Sequence, residues 1–214
     1  MGLPVTILIS VIIPTVPGRE DHYKRCLAAY HERTSPVRLE IITEYDHATV
    51  GLAWQAGAER SCGDYIHLTC DDLEPLDGWD TAAVKASDAG IVPAPRVTHA
   101  GTGELQSWPS WGREHEDGTD AGFSAIPFLS RQMWEAVRPL FLGHYYADDF
   151  ISYRARKAGW PSLMCNGYAF RHHWAQHRRG AGMTQDERQA YDRDLYGQAI
   201  AMVGAGEWRE PWPG

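Results

Sequence analysis

Val5 to Ile13 is a nearly unbroken β-branched apolar run halted by Pro14. A strand of this kind, without alternation, has to be covered on both faces, as strands of parallel sheets are. Helix and strand patterns then alternate along the chain. Glu20 to Arg33 has Tyr23, Cys26, Leu27 and Tyr30 at i, i+3, i+4 and i+7, one helical stripe. Leu39–Thr43 and Tyr65–Thr69 read as further strands, with short helices over Gly51–Arg60 (apolar face Leu52, Ala56 and Trp54) and Trp79–Ala89, and a short strand at Ile91–Val92. Strand alternating with helix predicts an α/β fold with a mostly parallel, Rossmann-like sheet flanked by helices. Ligands of such sheets bind beyond the carboxyl ends of the strands. Thr15, Glu44, Asp46, Asp71 and Asp72 all come after predicted strand ends, so the pattern gathers polar groups along one sheet edge.

From Pro93 to Gly122 the periodicity fades, and the stretch is expected to be mainly loops over the sheet edge. Ser130 is the expected N-cap of a helix running to Val137. A helix is predicted over Asp149–Ala158, stopped by Gly159, and a strand over Gly167–Trp174. Thr184 with Glu187 forms a capping box for the last helix. At 214 residues the chain suits one domain. The expected organisation is a domain over 1–174, with 175–214 forming a flexible basic loop and a C-terminal helical extension of it.

Lys and Arg number 20 against 28 Asp and Glu, a formal net charge of −8. This balance argues against a broad grip on a nucleic-acid backbone, which needs clustered cations, but leaves room for a local basic patch. No two of the four cysteines have CxxC spacing, so free thiols in a cytoplasmic protein are expected. The opening apolar run is too short to span a membrane and lacks a basic leader, so neither a span nor a signal peptide is expected. Nine Trp and ten Tyr suit a cleft that stacks on rings or sugars, and suit an aromatic core equally.

The densest chemistry lies in Gly63-Asp-Tyr-Ile-His-Leu-Thr-Cys-Asp-Asp72, where a strand delivers two adjacent carboxylates. Neighbours on extended backbone point in different directions. One could meet a hard divalent cation while the other accepts hydrogen bonds from a sugar hydroxyl. A solvated acidic turn is the plainer alternative. Asp148 and Asp149 open a predicted helix, where an acid can cap the helix, take a proton in catalysis, or both. Arg171-His-His-Trp-Ala-Gln-His-Arg-Arg179 is a second polar cluster, and on a strand only one of His172 and His173 can face a site. Trp108, Trp111 and Phe123 lie in or beside the irregular segment, where they could stack on an acceptor sugar or bury under the loop.

Four stretches resemble the family 2 glycosyltransferases, whose nucleotide-diphosphate-sugar-binding fold is called GT-A. Val11-Ile-Ile-Pro-Thr15 is similar to that family's opening strand. Gly51-Leu-Ala-Trp-Gln-Ala-Gly-Ala-Glu-Arg with Gly63-Asp-Tyr-Ile resembles its GLAxARNAGxxxAxGEYI stretch. Cys70-Asp-Asp72 falls at its DXD motif, and Asp148-Asp-Phe-Ile-Ser-Tyr-Arg-Ala-Arg-Lys-Ala-Gly159 resembles its EDxDLxxRxxxAG segment. The resemblance implies a metal-dependent, inverting glycosyltransferase using a nucleotide-diphosphate sugar, a UDP-sugar first, with Mn²⁺ or Mg²⁺. Thr15 and Glu44 (or, in its place, Asp46) would contact the nucleobase, Asp71 the ribose, and Asp72 the metal. Asp148 or Asp149 would be the catalytic base, with Asp148 at the family's position. His172 or His173 would be a further metal ligand, and Arg178 and Arg179 would pair with the diphosphate from a closing segment. Cys70 replaces the first acid of DXD; a soft thiol does not suit Mg²⁺, so it is expected to be structural.

The acceptor is open: a glycan, a protein side chain, a small molecule or a modified base. Two other readings stand beside this one. A nucleotidyltransferase of similar fold would ordinarily have a Gly-rich basic loop after the first strand, and Pro14–Arg19 offers one Gly and one cation. A non-catalytic sugar- or nucleotide-binding module would account for Cys70 but not for the retained aspartates.

Overall fold

A computed structural model describes residues 7–34, 38–106, 118–173 and 184–207. Strand β1 (Leu8–Thr15) lies between β2 (Arg38–Tyr45) and β3 (Tyr65–Leu68), parallel to both, and β6 (Phe128–Ser130) adds antiparallel to β3. A second sheet has the order β4 (Leu73–Pro75), β7 (Ser162–His172), β5 (Val92–His99), with β7 antiparallel to β4 and parallel to β5. The single sheet implied by the sequence is therefore two.

Alternation along β1 assigns the layers. Ile9, Val11 and Ile13 point into one core with α1 (Glu20–Glu32) and α3 (Trp79–Asp88). Ile12 points into the other with α2 (Val50–Arg60), α4 (Arg131–Val137) and α5 (Ala147–Lys157). Helices thus cover both faces, which is why the strand reads as continuously apolar. Two glycines let α2 sit this close. A Cβ at Gly57 would collide with the Ile12 side chain, and one at Gly51 with the backbone at Phe141 and Leu142. The buried side of α2 is Trp54 and Ala58, while Leu52 and Ala56 are half-buried.

His67 ties β3 to its neighbours. It is fully buried, and Tyr30 and Tyr168 hydroxyls lie 2.7 Å from Nε2 and 3.0 Å from Nδ1. Tyr168 donates its own proton to the Ile126 carbonyl at 2.6 Å. With the Tyr168 proton so engaged, the ring proton is assigned to Nδ1, which donates to Tyr168, while the Tyr30 hydroxyl lies against Nε2 and also reaches Thr69 Oγ1 at 3.1 Å. Burial lowers the His67 pKa to about 3, so this ring is neutral.

Several boundaries differ from the sequence expectation. Strand β1 runs on through Pro14, which the missing N–H permits because β3 pairs only as far as Ile12 and leaves that side of β1 open. Strand β5 runs to His99 through Pro93 and Pro95, in a stretch expected to be loops; it is an edge strand with an irregularity at Pro95/Arg96, where proline is tolerated. Strand β7 starts at Ser162, five residues before Gly167. The last helix, α6 (Gln185–Ala205), begins with the expected capping box at Thr184 and Glu187. It packs Leu195, Tyr196, Ala199 and Ile200 against Phe141 and Phe150. No helix among the described residues is long and apolar enough to cross a membrane.

Candidate active site

Strand β3 ends at Leu68, and the chain turns through Thr69 and Cys70 to Asp71 and Asp72. This turn is pinned from three sides. The Trp54 indole donates to the Thr69 carbonyl (3.0 Å), Thr69 N–H bonds Ile12 O (3.2 Å), and His173 N–H bonds Asp72 O (2.8 Å). Both carboxylates are buried. Thr15, at the end of β1, donates its hydroxyl to Asp71 Oδ2 at 2.7 Å. Arg19 donates Nε to the same oxygen at 2.9 Å, and its Nη2 reaches both Asp71 Oδ1 and Asp72 Oδ2, the latter at 2.9 Å. His172 Nε2 lies 3.5 Å from Asp72 Oδ2, and its Nδ1 is held by Gln106 Oε1 at 2.8 Å.

These partners decide the protonation states. Burial works to raise the Asp72 pKa, but His172 and Arg19 together outweigh it and hold the carboxyl at about 2. For Asp71 burial wins over Arg19 and Thr15, and its pKa is raised from the ordinary carboxylate value. The Cys70 thiol is pushed well above its usual range by burial and then by Asp72 and Asp71, so it stays protonated. That agrees with its structural assignment.

Asp148 and Asp149 occupy the second and third positions of α5. Neither caps it: the N-cap is Tyr146, in the left-handed region at φ +66°, without a side-chain cap. That strained turn is fixed from α6, where buried Asp192 accepts the His144 and Tyr145 N–H groups at 2.9 Å each. Tyr146 also stacks on Tyr196 at 5.4 Å. Crowding by surrounding protein, and then the charge of Asp149, raise Asp148 to about 7, against the lowering effect of the helix N–H groups, although some of its surface stays open. Burial raises Asp149 as well. Both acids help to push the Tyr196 hydroxyl up to about 12, after burial. The charge of Asp148 also acts on the Cys70 thiol, after those of Asp72 and Asp71.

Other expected residues lie apart from this centre or outside it. Glu44 is buried at the end of β2, but its carboxylate is engaged by His47 Nε2 at 2.6 Å and by Arg60. Asp46 is exposed, in a left-handed turn at φ +60°, with its N–H on Thr15 O. Of the two histidines, His172 faces Asp72, whereas His173 Nε2 pairs with Glu74 Oε1 at 2.6 Å. Phe123 packs beside Ala94, Ala121 and Met164. Trp108, Trp111, Arg178 and Arg179 lie outside the described residues.

Arg19 was not anticipated. A signal for it existed: it is the N-cap of α1, where a cation opposes the helix dipole and calls for an acidic partner. Gln106 and Asp192 were also missed, because each acts on residues distant in the chain.

A divalent cation is implied by the sequence resemblance. Asp72 and His172 offer an oxygen and a nitrogen 3.5 Å apart. Two ligands roughly 2.1 Å from one cation, at about a right angle, lie about 3 Å apart, so the pair fits Mg²⁺ or Mn²⁺. No cluster of three possible ligands occurs among the described residues. Phosphate oxygens and water would have to complete the shell, and Arg19 would have to yield its hold on Asp72.

Two solved structures are similar to this one. S. aureus TarS matches with a TM-score of 0.64 at 11% identity, over 92% of this chain and 40% of its own. GalNAc-T7, solved with UDP, GalNAc and Mn²⁺, matches with a TM-score of 0.61 at 12% identity, over 98% of this chain and 53% of its own. The chain has the GT-A glycosyltransferase fold. This GT-A chain spans about half the length of those structures or less. No protein-family model matches it, and no curated protein matches it in sequence.

Proposed function

We propose that this chain is an inverting, metal-dependent glycosyltransferase that moves a sugar from a nucleotide-diphosphate donor, a UDP-sugar first, to an acceptor hydroxyl. One observation carries the reading. On a GT-A fold, Asp71 and Asp72 follow the C-terminal end of β3 and Asp148 and Asp149 open α5, with Asp72 held ionised by His172 and Arg19 and Asp148 lifted to about 7. A permanently charged carboxylate suits a cation or a donor, and a carboxylate titrating near neutrality suits proton transfer. GalNAc-T7, with UDP and Mn²⁺ bound, lends the donor class and metal their support.

Asp71, oriented by Thr15 and Arg19, would accept hydrogen bonds from the ribose. Asp72 and His172 would hold the cation, which when bound offsets charge on the departing diphosphate. Arg19, displaced from Asp72, would turn to the same phosphates, for which its guanidinium geometry is suited. Asp148 in its ionised form would take the acceptor hydroxyl proton as that oxygen bonds to the anomeric carbon. The bond from that carbon to the diphosphate oxygen breaks, and the nucleoside diphosphate leaves with the electron pair. Attack opposite the leaving group inverts the anomeric centre. Asp149 would act mainly by raising Asp148.

Calorimetric titration of UDP tests the donor half. Binding is expected with Mn²⁺, much weaker without it, and weakened on the order of a hundredfold in Asp72→Asn. A wild-type chain that binds no nucleoside diphosphate in the presence of Mn²⁺ sinks the proposal.

A further inference from the structure

Beyond His172 the surface changes sign. An open groove of about 570 Å³ lies between α1, the hairpin after β5, and the end of β7. Its lining includes His22, Arg25, His99, His172 and His173, with one carboxylate, Glu104, which is exposed. Behind it, buried Glu74 is shared by three guanidinium groups, Arg25 at 4.0 Å and Arg33 and Arg171 at 3.6 Å each, besides His173. Three fixed positive charges around Glu74 leave a local surplus of two, which Glu104 on the groove wall reduces to one, in a chain whose net charge is −8; of the three, Arg25 lines the groove itself. The contacts of Arg25 and Arg171 to Glu74 are too long for hydrogen bonds. Their N–H donors make no hydrogen bond within the described residues. His22 Nδ1 is buried without a hydrogen-bond partner among the described residues.

A concave surface with surplus guanidinium charge, uncommitted donors and several imidazoles is built for an oxyanion. We infer that this groove binds a phosphate group carried by the acceptor, at a site separate from the donor's diphosphate. The acceptor assignment rests on the proposed glycosyltransferase reading; the anion site itself does not. The sheets separate the two functions. Thr15, Arg19, Asp71 and Asp72 gather at the ends of β1 and β3, whereas the groove is built on the β4-β7-β5 side, and His172 is the wall between them. A phosphate anchored there places the rest of its molecule one side chain away from Asp72.

The test is calorimetric titration of inorganic phosphate into the full chain, alone and saturated with UDP and Mn²⁺. The expected results are binding in both states, weakened roughly fivefold or more by Arg25→Gln and strengthened by Glu104→Gln, which removes the opposing charge. Arg25 is largely solvent-exposed, so its replacement leaves the fold and UDP–Mn²⁺ binding unchanged. Phosphate binding that disappears when UDP and Mn²⁺ are present overturns the inference, since the groove would then belong to the donor. Binding indifferent to Arg25→Gln, or absent altogether, overturns it too. A wild-type chain that takes phosphate in the Arg25-dependent manner but no UDP–Mn²⁺ leaves the anion site standing and refutes the glycosyltransferase reading instead.

Discussion

Two pairs of adjacent aspartates carry the same side chains in this molecule, yet Asp72 and Asp148 meet opposite fates. Asp71 and Asp72 are met by Thr15, Arg19 and His172, and Asp72 is held at about 2. Asp148 and Asp149 are also crowded by protein, but no cation pairs with either among the described residues, and Asp148 rises to about 7. Burial pushes all four carboxyls in the same direction. The difference between Asp72 and Asp148 comes from the partners: His172 and Arg19 outweigh the desolvation penalty at Asp72, a second carboxylate adds to it at Asp148, and at Asp71 burial prevails even over Arg19. The dipeptide does not determine whether an acid stores charge or exchanges a proton. The surrounding side chains do.

The sharpest way to break the contrast is Asp148→Asn. Turnover should fall by about 10²–10⁴, with binding of UDP and Mn²⁺ retained. Nucleotide titration beside a transfer or donor-hydrolysis assay separates the two. An equal loss of binding would place Asp148 on the donor side and erase the distinction. The mirror substitution, Asp72→Asn, should weaken Mn²⁺-supported UDP binding on the order of a hundredfold, because one of the two proposed ligands among the described residues is gone. Equal affinities with and without Mn²⁺ in the wild type would remove the metal from the account.

Arg19→Gln tests the share of Arg19, beside that of His172, in keeping Asp72 ionised. The variant should be about 2 kcal/mol less stable to urea at pH 7, since buried carboxylates lose their pairing. The folded Asp72 pKa is depressed, so this contribution is present above its unfolded value near 4 and is lost as pH falls through about 2. The gap between variant and wild type should therefore close on acidification.

The smallest effect expected is on the stability of Asp148→Asn itself. A raised folded pKa has the opposite sign: the ionised acid costs stability above pH 7, and the cost disappears as pH falls below its unfolded value near 4. The asparagine variant should be more stable than wild type by about 1–2 kcal/mol at pH 8, after allowing for the open part of the Asp148 surface, and equal to it at pH 4. Thermal or urea melts at the two pH values check this.

The sequence carried much of this layout. The apolar runs of β1 and β3 had to be sandwiched, so the parallel arrangement and the placing of Thr15, Asp71 and Asp72 at strand ends were legible. So was the helix expected over Asp149–Ala158, predicted two residues late of its start at Ala147. Short strands were not: β4 and β6 have three residues each and owe their existence to partners far along the chain. Strand β5 was hidden by its prolines, which only an edge position tolerates. At the site, residue types announced the acids but not their partners. Arg19 meets Asp71 across 52 positions and Gln106 meets His172 across 66. Those partners set the charge states, so the difference between the two aspartate pairs was invisible until the fold brought them together. The cationic groove beside His172 was foreshadowed only by Arg171. Its other cations come from α1, and no local pattern links them.

The most direct test of the central claim is the pH dependence of nucleoside-diphosphate release from a UDP-sugar with Mn²⁺, for wild type and Asp148→Asn. The account predicts a wild-type rate that rises through an apparent pKa near 7, as Asp148 ionises, and a residual rate in the variant without that inflection. A variant that keeps the wild-type rate, or the same inflection, would contradict it.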